Sequence, residues 1–298
     1  MSLRALDWKR FYAEERRALG DAGLAALVRS APEIAVPERG ALLFPHTRLA
    51  ASGRWVAAVA RAVVRAQPRR VLALGVLHGA RAADAELLRR ARRGDALSRD
   101  ALRRVHGPGA PHDGGHASEE FSLDGFRALV AVAARVEGLP EPELVERHPF
   151  LVGDAPETVT GVEELRELVA EGAALVASAD LVHHGVGYGT PPDLALPRTE
   201  ATRSLARDWV GEQLAALGSG DFERFSVIAG RQRSDFRDAG PMLSHILARP
   251  VSFRVQALEL VDYADVLAAA EPTWVAATLA TASSGEATDC APPLRRSS

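Results

Sequence analysis

The stretch Leu42-Leu43-Phe44-Pro45-His46-Thr47-Arg48-Leu49-Ala50-Ala51-Ser52-Gly53 decides the fold. The apolar run from Ala41 to Phe44 reads as a short buried strand. Pro45 stops it, because proline fixes φ and brings no N–H to a sheet ladder. His46 therefore falls just past a strand end. Ser52 suits the N-cap of a helix whose amphipathic run spans Trp55 to Val64. In open α/β sheets ligands bind outside the carboxyl ends of the strands, and His46 occupies such a place. The next apolar run, Arg70-Val71-Leu72-Ala73-Leu74-Gly75-Val76-Leu77-His78-Gly79, also ends in a histidine before a glycine. Two successive strands thus deliver an imidazole to one edge, and imidazole is both the commonest metal ligand and a near-neutral acid/base.

Outward from this unit, strands are expected at 149–153, 173–180, 251–261 and 274–281. Helices are expected over 1–31, 80–103, 123–136, 158–171, 204–217 and after Asp221. The alternation predicts an α/β protein: a single three-layer α/β/α domain over residues 1–282, with a central mixed, largely parallel sheet. No linker, repeat or composition shift divides it. The tail from Ser283 is polar and proline-containing, which predicts disorder over 283–298.

The composition narrows the function classes. Hydrophobic residues make up 47% of 298, enough for a sizeable core, and a net charge of −3 offers no electrostatic argument for nucleic acid or membrane. Lys9 is the only lysine, which reflects genomic base composition before function. Cys290 is the only cysteine, so there is no internal disulfide framework and no thiolate cluster. The charged N-terminus is not a signal peptide, and no uncharged run is long enough for a membrane span, so a cytoplasmic protein with a small-molecule partner is expected.

Three strand ends carry polar side chains: His46, His78, and Asp180 with His183. Two histidines and a carboxylate suit Fe(II), Mn(II) or Zn(II), and a facial arrangement leaves positions open for substrate and oxygen. Residues 105–118 form a glycine-rich stretch with His106, His112 and His116, whose spacing matches no zinc motif but whose length suits a pocket lid. A second glycine-rich loop over 181–189 holds His183 and His184. Arg89, Arg90, Arg92, Arg93, Arg103 and Arg104 read as a solvated helix face.

Five short motifs in order resemble the Memo family, including the "AmmeMemoRadiSam system protein B" proteins, which is related in fold to LigB-like class III extradiol ring-cleaving dioxygenases. They are Arg10-Phe11-Tyr12, Pro45-His46 with Ser52-Gly53, Leu74-Gly75 to His78, Ser178-Ala179-Asp180-Leu181-Val182-His183, and Gly240-Pro241 with Leu260-Val261-Asp262-Tyr263-Ala264-Asp265. The resemblance implies a non-haem metal site in which His46 and His78 hold Fe(II), or Zn(II). Asp238, or failing it Asp235 or Asp180, completes the set. His183 is then the acid/base, with Asp180 beside it, and the substrate a small aromatic molecule. Two departures stand out. The family's Glu-His-Ser-Leu-Glu is Glu120-Phe121-Ser122-Leu123-Asp124 here, and the family's pocket cysteine falls on Arg237 or Ala229. The alternatives are a non-catalytic Memo-type binding protein and a metal-dependent hydrolase. A homodimer is left open.

Overall fold

The runs 41–44, 71–74 and 174–177 are apolar at every position, so the sheet they form has to be covered on both sides. In a computed structural model of the chain, residues 5–79, 84–110, 120–248 and 250–285 are described. In chain order they form α1 (Ala5–Ser30), β1 (Gly40–Phe44), α2 (Leu49–Ala66), β2 (Arg70–Leu74), α3 (Ala85–Arg92), α4 (Ala96–Leu102), β3 (Arg104–His106), α5 (Asp124–Glu137), β4 (Glu143–Phe150), α6 (Val162–Ala170), β5 (Ala174–Ser178), β6 (Asp180–Gly185), α7 (Glu200–Ser219), α8 (Phe222–Gln232), α9 (Ala239–Ile246), β7 (Val251–Asp262) and β8 (Thr273–Ser284). One sheet runs β3-β4-β2-β5-β1-β8-β6, with β7 also on β8. Strands β4, β2, β5 and β1 are mutually parallel. β8 is antiparallel to β1, β6 and β7, and β3 to β4.

The period of two sorts β1 between two cores. Leu42 and Phe44 pack with α1, α2 and α5, whereas Ala41 and Leu43 pack with α6 to α9. This is the three-layer α/β/α architecture with a central mixed, largely parallel sheet.

The end of β1 shapes the site. β8 pairs along its whole length with β7 on one edge. On its other edge it pairs first with β6, through Thr273 to Ala277, and then with β1, through Ala280 to Ser283. β6 therefore takes the place that β1 vacates at Pro45. The chain leaves β5 at Ser178, opposite Phe44, donates Ala179 N–H to the Phe44 carbonyl at 2.8 Å, and continues as β6 past the end of β1.

Several expected boundaries move. His183 and His184 lie in strand β6 and not in a loop, because β8 offers them an edge. Residues 173–180 are accordingly two strands, with Asp180 opening the second. β4 begins at Glu143, well before 149, since pairing to β2 overrides its polar residues. His106 belongs to β3, paired with His148; His112 and His116 lie outside the described residues. Gly94 divides the helix expected at 80–103 into α3 and α4. Ser283 and Ser284 extend β8, paired with β1 and β7, so order reaches past residue 282; the rest of the expected tail from residue 286 lies outside the described residues. Helix α2 starts at Leu49, with Ser52 inside its first turn. Its cap comes from α1: the Glu15 carboxylate accepts the N–H groups of Leu49 at 2.8 Å and Ala50 at 3.2 Å. Among the described residues no helix is long and apolar enough to cross a membrane.

Candidate metal centre

A pocket of about 330 Å³ opens where β1, β2 and β6 end or begin. Its floor is polar: His46, His78, His183, Asp180 and Asp235. Its walls are aromatic, from Trp8, Tyr12, Phe121, Tyr188 and Tyr263. The strand-end residues His46, His78, Asp180 and His183 all meet here. The His46 and His78 rings are 5.2 Å apart between centroids, nearly perpendicular. Strand alternation turns His184 away from the pocket, where its Nε2 accepts the Leu196 N–H at 2.9 Å and its ring stacks on Trp274.

The three pocket imidazoles share one design. Each uses Nδ1 for an orienting contact and points Nε2 at Asp235. His46 Nδ1 meets Ser178 Oγ at 2.7 Å, His78 Nδ1 meets Glu120 Oε1 at 2.9 Å, and His183 Nδ1 donates to the Arg233 carbonyl at 2.7 Å. The Nε2 atoms then lie 3.5, 3.5 and 3.3 Å from the same Asp235 Oδ2. Such outer contacts set tautomer and ring orientation at metal-binding histidines.

The donor set fits a metal ion. An ion bonded at about 2.1 Å in a tetrahedron sets neighbouring N and O donors about 3.4 Å apart. One ligand atom from each of His46, His78 and Asp235 lies within 4.8 Å of the other two. Nitrogen and carboxylate ligands of this kind suit first-row divalent ions.

The carboxylate in this group is Asp235. Asp238, expected as the third ligand, is placed differently: its Oδ1 accepts the Val152 N–H at 2.7 Å, just past the end of β4. The backbone explains the exchange. Helix α8 ends at Arg233 in the left-handed region, and the 3-10 turn Asp235–Arg237 aims Asp235 inward, while Asp238 precedes α9 against the other core. Asp235 follows no strand, so the strand-end pattern could not single it out. Its sequence signal was only an acid shortly after a helix end.

Glu120 is a partner of His78 to which motif reading gave no role. Its Oε2 accepts the His78 N–H at 2.8 Å, and Oε1 accepts the N–H groups of Phe121 at 2.7 Å and Ser122 at 3.0 Å. Phe121, at the position of the family's histidine, stacks on His78 with centroids 4.3 Å apart and on Tyr12 at 5.2 Å.

Charge is unevenly held in this pocket. Burial disfavours a charged His78, but Glu120 and Asp235 outweigh it and raise its pKa to about 10. Burial also opposes ionisation of Glu120, yet His78 brings it down to about 2. Against burial, His183, His46 and His78 hold Asp235 well below the usual carboxylate range. Asp180 goes the other way: burial pushes it up, against His46 and His183. Its Oδ1 has no hydrogen-bond partner among the described residues. Burial pushes the Tyr12, Tyr188 and Tyr263 hydroxyls well above 10, so all three remain protonated donors. Tyr12 and Tyr263 share a hydrogen bond of 2.7 Å, and Tyr263 accepts the Arg48 N–H at 3.1 Å.

No protein-family model matches the chain, and no characterised protein sequence matches it either.

Proposed function

We propose that this chain is a Memo/LigB-like, non-haem metal-dependent oxidoreductase of the extradiol-dioxygenase type, acting on a small aromatic substrate. The observation that carries the reading is the convergence of three imidazole Nε2 atoms on one carboxylate oxygen beneath aromatic walls. In this reading His46, His78 and Asp235 hold the ion. A divalent ion, Fe(II) first and Zn(II) second, supplies Lewis acidity and a common template for substrate and oxygen.

The chain's own groups do the rest. His183 donates its Nδ1–H to the Arg233 carbonyl, so the neutral ring carries its lone pair on Nε2, towards the pocket. It can take a proton from a substrate hydroxyl and return it later. Asp180, pushed towards its protonated form by burial, lies beside His46 and can hold a second proton. Phe121, Tyr188 and Trp8 offer flat surfaces to a ring and exclude water from its faces.

The test is anaerobic loading with Fe(II), then addition of a panel of catechols with oxygen uptake recorded. Uptake with ring-opened product, lost in His183→Ala while iron is retained, supports the reading. Iron-loaded protein that consumes no oxygen overturns it. Ester or amide hydrolysis by the Zn(II) form would then make the chain a hydrolase, and stoichiometric metal without turnover would make it a binding protein.

A further inference from the structure

Two arginines line the pocket whose side chains have no part in the chemistry above. Arg233 and Arg237 sit on its exposed rim, whereas the histidines lie on its floor. The pocket's carboxylates are turned to the imidazoles: Asp235 faces three of them and Asp180 faces His46. Among the described residues neither guanidinium forms an ion pair, and the sole side-chain hydrogen bond of either runs from Arg233 Nη1 to Thr190 Oγ1 at 3.3 Å. Arg48, two residues from His46 and bonded through its backbone N–H to Tyr263 of the pocket wall, is by contrast neutralised: it pairs with Asp265 at 3.2 Å.

The backbone at Arg233 sharpens the point. It closes α8 with φ 53 and ψ 40, a left-handed conformation in which glycine would be relaxed. The carbonyl that orients His183 needs no side chain at this residue, so the guanidinium is surplus to that contact. Arg237 shares its short turn with Asp235, which ties its position to the floor of the same pocket. A guanidinium fork matches carboxylate and phosphate oxygens in geometry and charge.

We propose that Arg233 and Arg237 form an anion subsite at the rim of the pocket, which takes the carboxylate or phosphate substituent of the small aromatic ligand. The inference rests on the reading of this pocket as a small-molecule site, and it is independent of which metal the floor holds.

The probes are benzoate and phenyl phosphate, with benzamide as the neutral isostere, titrated by ligand-observed NMR. At least one anion binds about tenfold or more tightly than benzamide to the native protein, as charge-assisted pairing requires, and the tighter of the two identifies the substituent. The R233Q/R237Q variant binds all three within about twofold of one another and keeps its metal content. If that variant fails to fold, R237Q alone reduces the preference and R237K restores part of it. Equal binding of all three by the native protein overturns the proposal, as does a preference that survives in R233Q/R237Q or in R237Q. The titrations are repeated after chelation. A preference that persists there upholds the subsite even if the metal reading fails. One that disappears with the metal overturns the arginine assignment, because the ion itself was then the anion's partner.

Discussion

Glu120 grips His78 at two points. Its Oε2 accepts the backbone N–H at 2.8 Å and its Oε1 meets the ring Nδ1 at 2.9 Å. An ionised carboxylate can only accept, so Nδ1 carries the hydrogen and Nε2 is left for Asp235 or an ion. Glu120→Gln keeps the shape and removes the charge. Metal affinity should fall about 10- to 100-fold. Stability should drop by about 3 kcal/mol, because the partner of a buried charge is lost. Chelator competition and urea unfolding measure the two, and an unchanged affinity would remove Glu120 from the site.

Asp235 and Asp238 are three residues apart and should behave oppositely. Asp235→Ala should lose bound metal as completely as His78→Ala. Asp238→Ala should retain it while costing about 1–3 kcal/mol, since the Val152 N–H loses its acceptor. His183→Ala should also keep its metal. Elemental analysis of the purified variants decides: metal loss in Asp238→Ala or full retention in Asp235→Ala contradicts the ligand set.

The Glu120–His78 pair also predicts a pH signature. The His78 pKa is raised to about 10 from an ordinary 6.5, so its contribution to stability is complete below pH 6.5 and lost as pH rises through about 10. The Glu120 pKa is lowered to about 2 from 4.5, so its contribution is complete above pH 4.5 and lost as pH falls through about 2. Both are complete together between 4.5 and 6.5. The stability difference between the native protein and His78→Asn should peak there. Metal affinity should run the other way with pH, because an ion must displace the Nε2 proton. Its logarithm should rise by about one per pH unit below about 10 for this group. Calorimetry in buffers of different ionisation enthalpy counts that proton, and no proton release would contradict ligation by His78.

Glu15 caps α2 from another helix. Glu15→Ala should destabilise the protein by about 1 kcal/mol, as the loss of a charged acceptor at a helix N-terminus does. Ser52→Ala tests the local alternative. Its hydroxyl bonds Thr47 Oγ1 and the Arg48 carbonyl, not the N–H groups at the helix start. Thermal melts compare the two, and a Glu15→Ala protein as stable as the native one would show that the helix needs no such cap.

Gly75 lies where β2 runs out towards His78. A Cβ there would stand 2.5 Å from His148 Nε2 and 2.9 Å from Leu123 Cγ, both buried. Gly75→Ala should cost about 1–3 kcal/mol by overpacking. A melt unchanged from the native protein would show that His148 yields freely.

What the sequence determined by itself was local and periodic. Apolar runs stopped by Pro45 or ending at Gly75-Val76-Leu77-His78 were legible as strands that deliver histidines to one edge, since a strand's end and its direction are written in consecutive residues. The alternation of strands and helices likewise announced an α/β sheet. Tertiary structure decided the rest. β6 is a strand because β8 has an open edge beyond the end of β1, a property of neither segment alone. Asp235 displaced Asp238 from the donor group because a left-handed residue and a 3-10 turn set which of two nearby acids points inward. Glu120 reaches His78 across 42 positions and Glu15 reaches α2 across 34. Such contacts join a donor and an acceptor that no local pattern links, and only the packing of the layers brings them within hydrogen-bond distance.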